Sequence, residues 1–172
     1  MEFSSLLEKR KSIRKFKPKL ITESIEKEII SKVLLAPSAG NMQGFKIIAI
    51  RNSDIKKKLW EASYKQDPIV ETSLVLVFLA DQEQSAQRYR DRGRTLYSIQ
   101  DATIATTYAH LITADLGLGS VWIGAFDTNK VQKILNLSDK EVPIAILPIG
   151  YPDEDPEARP RRSIEEIVQK ID

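Results

Sequence analysis

The clearest feature of the chain is a set of short, almost continuously apolar runs separated by polar segments. Residues 45–50 (FKIIAI) and 73–80 (SLVLVFLA) are rich in aliphatic and β-branched side chains. This is the pattern of strands that are buried on both faces of a sheet. Residues 143–151 (PIAILPIGY) and the shorter run 120–124 (SVWIG) are predicted to be strands as well.

Between these runs the apolar residues recur at helical spacing. Residues 22–36 (TESIEKEIISKVLLA) predict a helix with Thr22 as its N-cap, and Pro37 should end it. Ser53 or Asp54 should cap a helix over 53–65. Further helices are predicted at 3–10, 97–116, 127–136 and 163–171.

Two features complete the predicted architecture. Gly117 follows the longest helical pattern and is expected to take the left-handed conformation of a helix C-cap. The polar residues 81–94 predict either a mobile loop or an exposed helix. Strands and helices that alternate in this way favour a mixed α/β or α+β fold, with a central sheet covered by helices on both faces. We find no linker or repeat, so residues 1–172 are treated as a single domain.

Composition limits the classes of function. The chain has 172 residues, 42% of them hydrophobic and 29% charged, which is usual for one globular domain. The absence of cysteine excludes disulfides and thiolate chemistry, and a single histidine, His110, excludes a multi-histidine metal centre. The N-terminus has no signal-like apolar stretch, and the longest strictly apolar run has seven residues. We therefore expect no membrane span and a cytoplasmic location.

Positive charge is concentrated near the N-terminus although the net charge is only +2. Residues 9–19 (KRKSIRKFKPK) contain seven cationic side chains and no acidic one. Nucleic acid, an anionic membrane surface or a single tightly held phosphate could each account for this cluster. A second cluster, residues 159–162 (RPRR), follows the acidic residues 153–157 (DEDPE), with which it could simply pair.

Common catalytic templates are missing. Neither phosphate-binding glycine motif occurs, and G-x-S-x-G is absent. A serine hydrolase built on His110 has no support, so we expect this histidine to be a packed or surface residue. Residues 36–43 (APSAGNMQ) combine small residues with two side-chain amides, but alone they indicate only a loop that ends a helix.

Taken together, these segments resemble the nitroreductase family of FMN-dependent oxidoreductases nearly from end to end. The first family signature corresponds to Arg10, Lys11, Ser12, Arg14 and Phe16. The second corresponds to Ala36, Pro37, Ser38, Asn41 and Gln43. The third is the stretch 117–124 with Trp122, and the fourth comprises Gly150, Tyr151, Pro152, Arg159, Pro160 and Arg161.

The resemblance implies a mostly antiparallel sheet in an intertwined homodimer, with FMN bound at the subunit interface. The FMN phosphate, ribityl chain and nearby ring atoms would be held by Arg10, Lys11, Ser12, Arg14, Arg159 and Arg161. The flavin would be lined from the partner subunit by Pro37, Ser38, Ala39, Asn41 and Gln43. The isoalloxazine ring would lie against Trp122, Ile123 and Gly124, one of which could donate a backbone N–H to flavin N5.

The resemblance further implies the activity. NADH or NADPH would reduce the flavin, and a nitroaromatic, a quinone or another flat small-molecule acceptor would reoxidise it in a ping-pong cycle without a dedicated catalytic side chain. We expect no nucleic-acid or membrane partner. The alternatives are a specialised flavin enzyme of the same fold, for dehalogenation, dehydrogenation or flavin fragmentation, and a non-enzymatic flavin carrier or basic nucleic-acid-binding module.

The chain departs from the family pattern in several places. Residues 43–45 (QGF) replace the more usual Q-P-W, which should soften this loop, and residues 161–163 (RRS) leave open whether Arg161 or Arg162 reaches the phosphate. Tyr108 stands where many members carry asparagine. Residues 81–97 are the least family-like, and we expect them to select the electron acceptor.

Overall fold

The computed structural model of the protein describes residues 2–171, and a four-stranded antiparallel sheet forms its centre. The strands are β1 (Phe45–Ile50), β2 (Leu74–Asp81), β3 (Gly119–Ser120) and β4 (Glu141–Gly150), arranged in the order β1, β2, β4, β3. Each neighbouring pair is antiparallel. The predicted α+β class with a mostly antiparallel sheet is confirmed.

Helices connect the strands. They are α1 (Phe3–Lys9), α2 (Glu23–Val33), α3 (Ser53–Ala62), α4 (Pro68–Glu71), α5 (Gln82–Arg92), α6 (Ser98–Asp115), α7 (Thr128–Ile134) and α8 (Ile164–Ile167). A 3₁₀ turn occupies Ala39–Asn41, and a π-helical turn, Gly93–Tyr97, joins α5 to α6. None of the helices within residues 2–171 is long and apolar enough to cross a bilayer.

Helices cover both faces of the sheet, as predicted. One face packs on α2 and α6 through Ile29, Val33, Leu74, Leu76, Phe78, Ala102, Ala105 and Ala109. The other face packs on α3 and α7 through Leu59, Ala62, Val75, Val77, Leu79 and Val131. Since successive side chains of a strand point to opposite faces, β2 is buried on both sides. The same prediction holds in part for β1: Phe45 and Ile50 are buried in the two clusters on opposite faces, but Lys46 and Ala49 of this edge strand are exposed.

The helix ends follow from local hydrogen bonds. Thr22 caps α2 as predicted, since its Oγ1 accepts the N–H of Ile25 at 3.3 Å. The cap predicted for α3 was wrong: Asn52 precedes both candidates, and its Oδ1 accepts the N–H groups of Asp54 and Ile55 at 2.9 and 3.0 Å. Gly117 follows α6 with φ of 72°, so its predicted left-handed conformation is confirmed.

Two predicted segments are shorter than expected, and a third takes one of its two predicted forms. Only the first residue of 120–124 remains in a strand, because the chain then leaves the sheet and returns for a single bridge between Ile123 and Ile146. Most of 81–94 forms α5 (Gln82–Arg92), which is the helical alternative of the prediction. The predicted C-terminal helix shortens to the four residues of α8, whose side chains have no core to pack against.

Candidate active site

A cavity of about 550 Å³ lies between the N-terminal segment and the segment before α8. The cationic side chains that line it are Arg10, Lys11, Arg14, Arg159 and Arg161. Ser12 lines it too, together with two acidic residues, Glu8 and Glu157. The two basic clusters, about 150 positions apart in sequence, therefore meet at one place in the fold.

Backbone pairing brings these segments together. The N–H of Ile13 donates to the carbonyl of Ser120 in β3, and the N–H of Lys17 donates to the carbonyl of Tyr151 just after β4, at 3.0 and 2.9 Å. Gly119 permits this approach, because a Cβ there would lie 2.8 Å from the Cβ of Ile13. The N-terminal segment thus lies beside the ends of β3 and β4.

The acidic run 153–157 neutralises the N-terminal segment rather than its own neighbours. Asp155 pairs with Lys11 at 2.7 Å, and a Glu154 carboxylate oxygen accepts the backbone N–H groups of Arg14 and Lys15. Pairing of the acidic run with the arginines that follow it was the simple explanation of the second basic cluster. The structure contradicts that explanation.

Arg162, the residue after Arg161, takes a different role. The Arg162 guanidinium donates to the carbonyl of Glu166 at 2.7 Å, and Ser163 and Glu166 form a reciprocal capping box at the start of α8. Arg162 is absent from the lining of the cavity, whereas Arg161 belongs to it. The geometry therefore favours Arg161 over Arg162 as a ligand-binding residue.

The cavity holds positive charge that the described part of the chain does not neutralise. Within residues 2–171, no carboxylate forms an ion pair with the guanidinium of Arg10, Arg159 or Arg161. Partial burial and the repulsion of nearby Arg161 lower the pKa of Arg10. Three guanidinium groups without an ion-pair partner among the described residues, in a cavity lined by five cationic and two acidic side chains, are suited to an anion, which would relieve their repulsion.

His110 anchors Arg10 from inside the fold. It is only 8% exposed, and its Nε2 lies 2.9 Å from a terminal nitrogen of the Arg10 guanidinium. Burial, followed by the positive charge of Arg10, lowers the pKa of His110 to about 4. The imidazole is therefore neutral at pH 7, in agreement with the expectation of a packed histidine.

This shifted pKa predicts a pH dependence of stability. The imidazole of the unfolded chain takes up its proton near pH 6.5, whereas that of the folded chain does so near pH 4. Between these values the unfolded state binds more protons, so the free energy of unfolding should fall by about 3 kcal/mol as the pH drops from 6.5 to 4. Denaturant unfolding at several pH values would measure this fall.

The matched variant is His110→Gln, which cannot titrate and should lack the fall. Glu141 also destabilises the fold in acid, because hydrogen bonds from Lys46 and Ser138 hold its pKa at about 2. Its effect belongs to a lower window, below pH 4.5. An equal loss in the wild type and in His110→Gln between pH 6.5 and 4 would contradict the assignment.

Asp101 fastens the loop that carries the second family signature. This carboxylate is 1% exposed in the first turn of α6, and it accepts the N–H of Ala39 at 2.9 Å and that of Gly44 at 3.1 Å. A proline at position 44 would lack the second donor. The glycine of the QGF departure thus supplies a hydrogen bond that ties the loop to α6.

The remaining predicted site residues lie outside the cavity of this chain. The second-signature loop, with Pro37, Ser38, Asn41 and Gln43, packs beside α5, where Gln84 Nε2 donates to the carbonyl of Met42 at 2.9 Å. The Ile123 side chain is buried in the core, and its N–H donates to the carbonyl of Ile146. The N–H of Ile123 is therefore already used within the fold. The N–H groups of Trp122 and Gly124 are the remaining candidate donors to a ligand in this stretch.

Sequence reasoning missed His110 and Asp101 as site residues. The polar pair His110 and Thr113, three residues apart within a largely apolar helix, was a signal for a buried polar network. Their partners, Arg10 and Ser120, come from other elements and could not be identified from helix spacing.

Comparison with known proteins agrees with the fold. The family model "Nitroreductase family" matches residues 7–91 and 62–151. The chain is similar to an NADH dehydrogenase of Thermus thermophilus, with 29% identity over 187 residues that cover 93% of this chain and 91% of the relative. It is also similar to an NADPH-dependent oxidoreductase of Staphylococcus aureus, with 29% identity over 178 residues that cover 95% and 70%.

Among solved structures, NfrA2 of B. megaterium has a TM-score of 0.90 at 25% identity, covering 97% of this chain and 73% of that one. The fold and these relatives thus define an oxidoreductase enzyme with a nitroreductase-type fold. The chain belongs to the Nitroreductase family.

Proposed function

We propose that the protein is an FMN-dependent oxidoreductase that takes hydride from NADH or NADPH and reduces nitroaromatics, quinones or similar flat acceptors. The observation that carries this proposal is the cationic cavity where the two ends of the chain meet. The donor is inferred from the NADH and NADPH named for the two relatives. The ping-pong order follows if both substrates use the same open flavin face.

The residues at the cavity suit the phosphate of FMN. A phosphate monoester is a dianion that accepts several hydrogen bonds, and guanidinium groups bind it in a bidentate manner. Arg10, Arg159 and Arg161 supply such groups without a competing ion pair within residues 2–171. The volume of about 550 Å³ lies in the usual range for a small-molecule site.

Each part of the chain would then have a defined task. Arg10, Arg159 and Arg161 bind the phosphate, and the N–H groups of Trp122 or Gly124 orient the polar edge of the ring. Bound FMN supplies the hydride chemistry, so no side chain has to act as a nucleophile or general base. We therefore assign binding and orienting roles to these residues and no catalytic role.

We infer that a second chain completes the proposed site. The second-signature loop lies away from the cavity, so its expected contact with FMN has to come from a partner subunit. The C-terminal segment exposes apolar side chains that a monomer leaves in water: Ile164, Ile167, Val168 and Ile171, between 51 and 88% exposed. Burial against a partner would stabilise this segment. We infer a homodimer with FMN at its interface.

Light scattering coupled to size exclusion should give twice the chain mass of 19.5 kDa. Replacing Ile164 and Ile167 together by Ser should increase the monomer fraction, whereas the exposed pair Glu165 and Glu166, changed to Gln, should have little effect on it. A monomeric wild-type protein, or equal behaviour of the two double variants, would contradict this use of the segment.

The proposed activity is tested by anaerobic absorbance spectra of the purified protein, recorded before and after NADH and then NADPH. A flavin spectrum that bleaches with either nucleotide supports the proposal and identifies the donor. Steady-state kinetics with a quinone should then give the parallel lines of a ping-pong scheme. A bound flavin that neither nucleotide reduces would favour a specialised flavin enzyme of the same fold, and a protein unable to bind FMN would overturn the proposal.

A further inference from the structure

A closed set of hydrogen bonds lies behind Arg10. His110 Nδ1 is 2.6 Å from the Ser120 Oγ, which is 2.8 Å from the Thr113 Oγ1. The Thr113 hydroxyl donates to the carbonyl of His110 at 2.9 Å. On its other side, the imidazole meets the Arg10 guanidinium through Nε2.

The chemistry of the partners fixes the proton on the imidazole. A guanidinium can only donate, so Nε2 accepts from Arg10 and is unprotonated. Nδ1 then carries the proton and donates to the Ser120 Oγ. Because the Thr113 hydroxyl already donates to a carbonyl, the Ser120 hydroxyl donates in turn to Thr113. Every proton of the set has an acceptor in this arrangement alone.

A neutral acceptor behind Arg10 has a specific consequence. A carboxylate in the same place would hold the guanidinium equally well, but it would cancel the charge that the cavity presents. A neutral imidazole fixes one edge of the guanidinium and leaves its full positive charge for a ligand. Arg161 is close enough to Arg10 to lower its pKa, and Glu8 on α1 lines the same cavity.

We propose that His110 is a positioning residue for the cofactor phosphate: its Nε2 holds the Arg10 guanidinium at the cavity wall without neutralising it. This role rests on the proposed function. It adds a residue from the middle of α6, which does not line the cavity, to the set that determines cofactor affinity. Ser120 and Thr113 act on Arg10 through His110, because they fix the tautomer of the imidazole.

The sharpest test compares His110→Gln with His110→Glu. Both side chains can accept from Arg10, but only the carboxylate removes its net charge. Titration of apo-protein with FMN should give a Kd within about threefold of the wild type for Gln, and a Kd about tenfold higher or more for Glu. A merely structural role would not separate two variants that both satisfy Arg10. Thermal unfolding of each apo-variant verifies that it is folded.

The tautomer provides a readout that needs no cofactor. Because His110 is the only histidine, ¹⁵N NMR of ring-labelled protein gives one pair of imidazole signals. We expect a protonated Nδ1 and a bare Nε2 at pH 7. A protonated Nε2, or equal FMN affinity of the Gln and Glu variants, would overturn the positioning role. Failure of the wild type itself to bind FMN would instead overturn the proposed function.

Discussion

Replacing Arg161 by Ala is expected to weaken FMN binding by about 10- to 100-fold, while replacing Arg162 by Ala should leave it within about twofold. Arg161 lines the cavity and has no ion-pair partner within residues 2–171. Arg162 donates to Glu166 instead. Fluorescence titration of apo-protein with FMN would measure both dissociation constants.

Two neighbouring arginines of the same charge make this a matched comparison. A nonspecific electrostatic effect would weaken binding similarly in both variants, whereas a directed contact affects only Arg161. The apo-protein gives a second readout. Because Arg161 lowers the pKa of Arg10 by repulsion, removing it should leave apo stability unchanged or slightly raise it. Loss of affinity in Arg162→Ala alone would reverse the assignment.

Most elements were predictable because their patterns are local. The continuous apolar run that buries β2 on both faces and the caps at Thr22 and Gly117 depend on residues a few positions apart. The exposure of β1 was not predictable, since it depends on sheet order, which only long-range pairing decides. The prediction of the N-cap of α3 failed for a local reason. Asn52, Ser53 and Asp54 are all residues that can cap a helix, and Asn52 is the N-cap because its backbone is extended.

The site was partly predictable. The family resemblance implied that two distant basic clusters hold one phosphate, and the fold brings these clusters to one cavity. The sequence did not show that Arg161 lines the cavity while Arg162 binds the start of α8, because this difference depends on the capping box of α8. Nor was the anchoring of Arg10 by His110, since the two are 100 positions apart and their contact exists only after β3 and α6 are in place. The sequence therefore identifies the charged side chains of a site, but it does not identify the neutral side chains, such as His110, that orient them.

Replacing Asp101 by Ala is expected to lower the free energy of unfolding by about 4 kcal/mol, because two backbone N–H groups would lose their charged acceptor. Both donors, Ala39 and Gly44, are at least partly buried, and water cannot readily replace the carboxylate. The control is Asp139→Ala, which removes a carboxylate from an exposed ion pair with Lys140 and should cost less than about 1 kcal/mol. Urea denaturation of the three proteins would measure the difference.

The same change should also weaken FMN binding if the proposed dimer is correct. Asp101 joins α6, which carries His110 nine positions further on, to the second-signature loop, which is expected to contact the cofactor of the partner subunit. One rigid helix would then orient Arg10 in one site and the loop in the other. Asp101→Asn, which keeps an acceptor oxygen for one of the two N–H groups, should fall between the wild type and Ala in both stability and FMN affinity. Loss of stability without loss of affinity would separate the loop from the cofactor site and restrict Asp101 to a purely structural role.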